Sequence, residues 1–282
     1  MPSSPIPTMD SHRCNAAGWG PASSASGMRK HILILGGTTE AREVGQHLAA
    51  RTDVAATLSL AGRTASPAAQ GVPVRRGGFG GIAGLAQYLR DNAIDALIDA
   101  THPYAPTISA HALGAASQTK TPMIALCRPP WCAVAGDRWT EVLDAHEAVR
   151  TLGIKPQNVF LALGRQEIAH FASAPQHHYL IRSVDPVDPP LAVPHARYVL
   201  ARGPFEEEEE RVLLLAHSID VVVAKNSGGL ATYGKIAAAR SLGIPVMFLR
   251  RPPELPVQRV ATVGEAIAWL DHVLTTPADR GV

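Results

Sequence analysis

The sequence predicts an α/β protein built from two doubly wound parallel sheets. Three observations carry this. Short aliphatic runs alternate with Ala-rich helical stretches along almost the whole chain. Most of the runs are apolar on consecutive residues, as strands covered on both faces are. The run ends carry Gly, Thr, Arg or Lys, where open α/β sheets collect ligands.

The chain has 282 residues, enough for one large or two medium domains. Hydrophobic residues make up 46% and charged residues 18%, so sizeable cores can be buried, while aromatics are only 5%. A formal charge of +2 is too small for nucleic-acid or membrane binding by bulk electrostatics. Three cysteines (Cys14, Cys127, Cys132) make a poor disulfide framework. With no long apolar stretch and no secretory core near the start, the expectation is a cytoplasmic protein, monomeric or weakly homo-oligomeric.

Residues 1–28, rich in Pro, Ser, Ala and Gly without hydrophobic period, read as a disordered tail. Residues 31–35 are a buried strand running into Gly36-Gly37, and Thr38 or Thr39 then offers an N-cap for a helix to about residue 50. A second strand covers about 54–60. Residues 63–81 form a long loop with Gly77-Gly78-Phe79-Gly80-Gly81, a helix covers 82–92, and a strand covers 96–100. Thr101-His102-Pro103-Tyr104 leads into a helix to about 117, and a strand covers 123–126. Residues 127–140 lack a period and mark the crossover, dividing an N-terminal domain (29–128) from a C-terminal one (129–282). In the second, strands are expected near 159–163, 179–183, 197–201, 220–224 and 246–249. Helices are expected near 144–152, after Phe205, over 230–242 and over 264–274.

Gly36-Gly37-Thr38-Thr39, with Arg42 in the next turn, sits between strand and helix, where free N–H groups and the positive helix end suit a phosphate. The spacing is not G-x-G-x-x-G, so a plain βα turn satisfies it equally. The end of the second strand carries no acid for a ribose hydroxyl; Arg63 stands there instead and suits a 2′-phosphate, favouring NADPH over NADH. Gly77 and Gly78 give a backbone that can wrap a flat ligand, with Phe79 against one of its rings. Asp99-Ala100-Thr101-His102 ends a strand where ligands sit, and a ligand contact is expected there; capping of the next helix is the alternative.

Four second-domain strand ends carry Arg165, Arg182, Arg202 and Lys225, a rim suited to several carboxylates. Glu206–Glu210 reads as a solvated helix start. No metal site is expected: His177-His178 lacks partners at ligand spacing.

Taken in order, these motifs resemble the precorrin-6A reductase family. The matching stretches are residues 36–42, 61–63, 77–81, 99–105, 128–131, 136–139, 164–166, 182–186, 202–205 and 225–229, spanning about 30–270. The resemblance implies two Rossmann-like domains with the ligands between them. It implies NADPH as cofactor and precorrin-6A as substrate, with hydride delivered to macrocycle C19 and a proton to C18. NADPH would then be held by Gly36, Gly37, Thr38, Thr39, Arg42, Arg63, Gly77, Gly78, Phe79, Asp99, Ala100, Thr101 and His102. The substrate's acetate and propionate arms would meet Arg128, Gly164, Arg165, Gln166, Arg182, Ser183, Arg202, Gly203, Lys225, Asn226, Ser227 and Gly228. Lys225, His102 and Lys235 are the candidate proton donors, with water as the other source. Whether the substrate is metal-free or carries cobalt stays open. Another NADP-dependent oxidoreductase of a polycarboxylate, or a non-catalytic NADP-binding sensor, are the competing readings.

Overall fold

The computed structural model describes residues 29–62 and 69–275. The expectations for residues 1–28 and for Arg63 lie outside them.

The first sheet is formed by β1 (Lys30–Leu35), β2 (Val54–Leu60), β3 (Val74–Arg76), β4 (Ile94–Asp99), β5 (Met123–Leu126) and β12 (Arg259–Val260), in the order β3-β2-β1-β4-β5-β12. The second contains β6 (Trp139–Val142), β7 (Asn158–Ala162), β8 (His178–Ser183), β9 (Ala196–Leu200), β10 (Val221–Lys225) and β11 (Val246–Leu249), in the order β9-β8-β7-β10-β11-β6. Every pairing is parallel. Both sheets thus run outward from one central strand in both directions, which is the Rossmann arrangement.

Side-chain alternation explains the continuous apolar runs. In β1, Ile32 and Ile34 enter a core with α1 (Thr39–Ala49) and α8 (Val263–Thr275), while Leu33 and Leu35 enter one with α2 (Gly81–Asp91) and α3 (Pro106–Thr119). In β10, Val221 and Val223 face α4 (Ala145–Leu152) and the short α5 (Arg165–Ile168). Val222 and Ala224 face α6 (Glu207–Ala216) and α7 (Gly234–Ser241). The central strands are apolar on both faces because each sheet is covered on both. The α1 helix follows directly from its sequence: Thr38 caps it, and Ala41, Val44, Gly45 and Leu48 form one buried stripe.

Three expectations are corrected. The loop at 63–81 contains β3, whose three residues pair Ser59 with Arg75 on β2; three residues are too few for a period. The helix expected over 230–242 begins only at Gly234. The C-terminal domain does not run to 282. The chain returns to the first sheet, where Arg259 pairs with Ala125 and Val260 with Leu126, and α8 buries Ala266 and Leu270 in the first domain's core. The sixth strand of each sheet is therefore supplied by a crossover: 127–138 leads into β6 and 250–258 into β12. Among the described residues no helix is long and apolar enough to cross a membrane.

Candidate active site between the two switch points

In each sheet the strand order reverses beside the central strand, leaving a crevice at the carboxyl ends of β1 and β4 and another at those of β7 and β10. The two crevices meet. Ser227, just past β10, lies 3.2 Å through Oγ from Nε2 of His102, just past β4. Asn226 N–H donates to the Tyr104 hydroxyl at 3.1 Å, and that hydroxyl donates to Leu249 O at 2.5 Å.

On the first-domain side, a Cβ on Gly36 would come within 2.9 Å of Leu58, so glycine permits close strand packing there. Gly37 has φ +125° with open space around it. Thr38 accepts from Ala41 N at 3.1 Å and donates to Ala100 O at 2.7 Å, tying the turn across the crevice. Asp99 is buried and accepts from both the N–H and the hydroxyl of Thr101, at 3.1 and 2.7 Å; it orders that loop. Arg75 donates to Gly77 O at 2.5 Å and to Gly78 O at 2.7 Å, and stacks 3.7 Å from the Phe79 ring. One face of Phe79 is thereby covered by a residue the motif reading passed over. Arg42 lies in the first turn of α1.

On the second-domain side, Lys225 pairs with Glu167 at 2.7 Å and lies 5.2 Å from the Tyr104 ring of the other domain. Gly164 admits this arrangement: a Cβ there would stand 2.6 Å from Glu167 Oε2. Arg165 and Gln166 are exposed at the start of α5, and Arg202 is exposed just past β9, next to Gly203. Arg128, at the start of the first crossover, pairs with Glu40 of α1 at 3.2 Å. Arg251, in the second crossover, donates to Asn226 O at 2.7 Å and to Arg128 O at 2.9 Å, so one guanidinium ties both crossovers to the Lys225–Gly228 turn. Beside this turn a pocket of about 250 Å³ is lined by Tyr104, Lys225, Glu167, His146, His170 and Arg250.

One expected rim residue turns away, and one candidate proton donor is buried. Arg182 is buried and ion-paired with Glu210, its guanidinium 3.8 Å from the Phe205 ring; Ser183 Oγ beside it is buried without a hydrogen-bond partner. Strand β8 ends beneath the 202–205 loop, so its basic residue meets α6 rather than the cleft. Glu210 correspondingly leaves the solvated face expected for the acidic run. Lys235 is buried too, donating to Thr232 O at 2.6 Å. Burial, with Arg182 nearby, pushes its pKa down to about 7, against a partial offset from Glu210.

His102 accepts the Tyr104 N–H at Nδ1 (3.2 Å), which leaves its proton on Nε2, facing Ser227. Burial first, then the cations Lys225, Arg128, Arg251 and Lys235, push its pKa down to about 3. The unfolded chain takes up this proton near 6.5 and the folded chain only near 3. His102 therefore lowers stability as pH falls from 6.5 towards 3 and has no effect above that interval. Its ring resonances are expected to show no titration between pH 5 and 8 in NMR; an inflection near 6.5 would contradict the cationic surroundings. Tyr104, Glu167, Trp131 and Arg251 are site residues that motif reading missed. Tyr104, Trp131 and Glu167 stood within or directly after quoted motifs, whereas Arg251 carried no sequence signal.

Residues 31–271 match the family described as precorrin-6x reductase CbiJ/CobK. A precorrin-6A reductase from Sinorhizobium sp. is 54% identical, over 88% of this chain and 96% of its own length. One from Rhodobacter capsulatus is 48% identical, over 89% and 99%. A solved structure titled CobK precorrin-6A reductase superposes with a TM-score of 0.83 at 47% identity, covering 90% of this chain and all of that one. Two Rossmann-like sheets with facing switch points, and a match along nearly the whole described chain, make this protein an oxidoreductase of the precorrin-6x reductase CbiJ/CobK family.

Proposed function

We propose that the chain reduces precorrin-6A with NADPH in cobalamin biosynthesis, binding the cofactor at the first switch point and the macrocycle at the second. The observation that carries this is the meeting of the two crevices at His102 and Ser227, which suits two ligands that must touch. The donor set fits a dinucleotide: Gly37 leaves open space, and the 11-residue helix α1 aims its first N–H groups beside it. A phosphate there gains about 0.3–1 kcal/mol from the helix end alone. When bound, NADPH supplies the hydride that macrocycle C19 receives.

Gly36, Gly37, Thr38 and Thr39 would hold the pyrophosphate, with Asp99 ordering Thr101 against the same ligand. Gly77, Gly78 and Phe79, stiffened by Arg75, would border the adenine end. Arg165, Arg202 and Lys225 would meet the acetate and propionate groups. Of the three candidate donors, Lys225 is best placed to deliver the proton to C18: its Nζ lies at the domain junction, whereas His102 is neutral and Lys235 is buried. Glu167 holds that Nζ in place. His102 orients Ser227.

The first test is loss of reduced-nicotinamide absorbance with metal-free precorrin-6A, beside its cobalt form and beside NADH. Substrate-dependent NADPH consumption is the expected result. Tight NADPH binding without turnover of either macrocycle would favour a sensor. Arg63→Ala is expected to weaken NADPH about tenfold or more while leaving NADH within about twofold. Equal weakening of both would remove the 2′-phosphate assignment.

A further inference from the structure

Both ends of the Asn226 amide bond within the protein. Its Oδ1 accepts the Trp131 N–H at 2.8 Å, and its Nδ2 donates to Trp131 O at 2.9 Å. The indole N–H of Trp131 donates to Gly229 O at 2.8 Å. Gly228 (φ +69°) and Gly229 (φ +70°) let the crossover approach: added Cβ atoms would stand 2.1 Å from Pro129 O and 2.8 Å from Arg128 Cδ. Lys235 lies 5.1 Å from the indole ring, Tyr233 5.5 Å and Phe248 6.1 Å. Trp131 is thus fixed in backbone, N–H and ring.

What this apparatus presents is apolar. Trp131, Tyr233, Leu230, Cys132 and Gly229 line a cavity of about 220 Å³. Leu230 at its lip is 88% exposed. Gly229 in its lining directly follows the Lys225–Gly228 turn, and Trp131 is bonded to Asn226 of that turn, so the cavity borders the candidate substrate crevice. It is too small for a whole macrocycle but large enough for part of one. Rigid aromatic rings bind a conjugated surface with little conformational entropy lost.

We propose that Trp131, Tyr233 and Leu230 form an apolar shelf that packs against the conjugated face of the tetrapyrrole, with Asn226 as the positioning residue that holds the Trp131 backbone and the Gly229 carbonyl fixing the indole N–H. This rests on the reductase reading above and extends it. Carboxylate contacts anchor the macrocycle's periphery, whereas the shelf sets the tilt of its plane.

The test is equilibrium binding of metal-free precorrin-6A without NADPH, followed by the macrocycle's own absorbance. Trp131→Phe is expected to raise its Kd about fivefold, and Leu230→Ala about fivefold. Leu230→Asp should weaken binding more than Leu230→Lys, because the ligand is a polycarboxylate. NADPH affinity should stay within about twofold in all four variants. Leu230 is exposed enough that its substitutions leave folding intact, which thermal unfolding checks. Macrocycle Kd values within twofold of wild type for both Leu230→Ala and Trp131→Phe would overturn the shelf while leaving the reductase reading in place. Failure of the wild-type protein to bind precorrin-6A would overturn both.

Discussion

Arg182→Ala is expected to destabilise the protein by about 3–5 kcal/mol, the cost of stranding a buried charge. Arg182 is 8% exposed and Glu210 3% exposed, and Glu210 Oε2 has no hydrogen-bond partner. Removing the guanidinium leaves that carboxylate among Phe160, Phe205 and the aliphatic surface of α7, with the charge of Lys235 as a partial offset. Urea unfolding at neutral pH measures the loss. The double variant Arg182→Met with Glu210→Leu should recover most of it, since removing both charges removes the unpaired one. A single variant within 1 kcal/mol of wild type would show the pair to be solvated. The recovered double variant also separates two roles: wild-type macrocycle affinity in it would exclude Arg182 as a carboxylate ligand.

Gly228→Ala should act through geometry rather than charge. At φ +69° an alanine costs about 1–2 kcal/mol from its own backbone. The new Cβ would also stand 2.1 Å from Pro129 O, and a backbone oxygen cannot swing aside as a flexible side chain can. Either the turn or the crossover must shift. The Ser227–His102 and Asn226–Trp131 contacts then come apart together. A displacement of about 1 Å at a reacting site can cost about 100-fold in rate. Turnover should fall by about that factor, with macrocycle Kd rising and NADPH Kd unchanged. Gly37→Ala is the contrast: φ is +125° but no protein atom lies within 4 Å, so within the protein itself only the backbone penalty applies there. Wild-type turnover in Gly228→Ala would mean that the turn is not part of the site.

Much of the fold was legible because both sheets are covered on both faces. Stretches such as 32–35 and 221–224 must then be apolar at every residue, and that pattern survives without an alignment. The chemistry-bearing turns were legible for a related reason: strand ends in parallel sheets are where ligands sit, so Gly36-Gly37 and Lys225-Asn226 stood out by position. The edge strands were not legible. Two or three residues, as in β12 and β3, carry no period, and their pairing is set by where the chain returns in space.

What the sequence alone determined is the two-domain α/β architecture, the strand-end turns and, through their order, the family. Only the tertiary structure decided three things. It exchanged the sixth strands, because β5 and β11 each present a free edge to the chain leaving the opposite sheet. It sorted the basic residues: Arg182 and Lys225 are both basic residues near strand ends, yet one meets the acid of a covering helix and the other meets the cleft. It turned the Asn226 amide from the ligand to Trp131. Each depends on which group lies opposite across a long separation in sequence, and periodicity and spacing carry only local information.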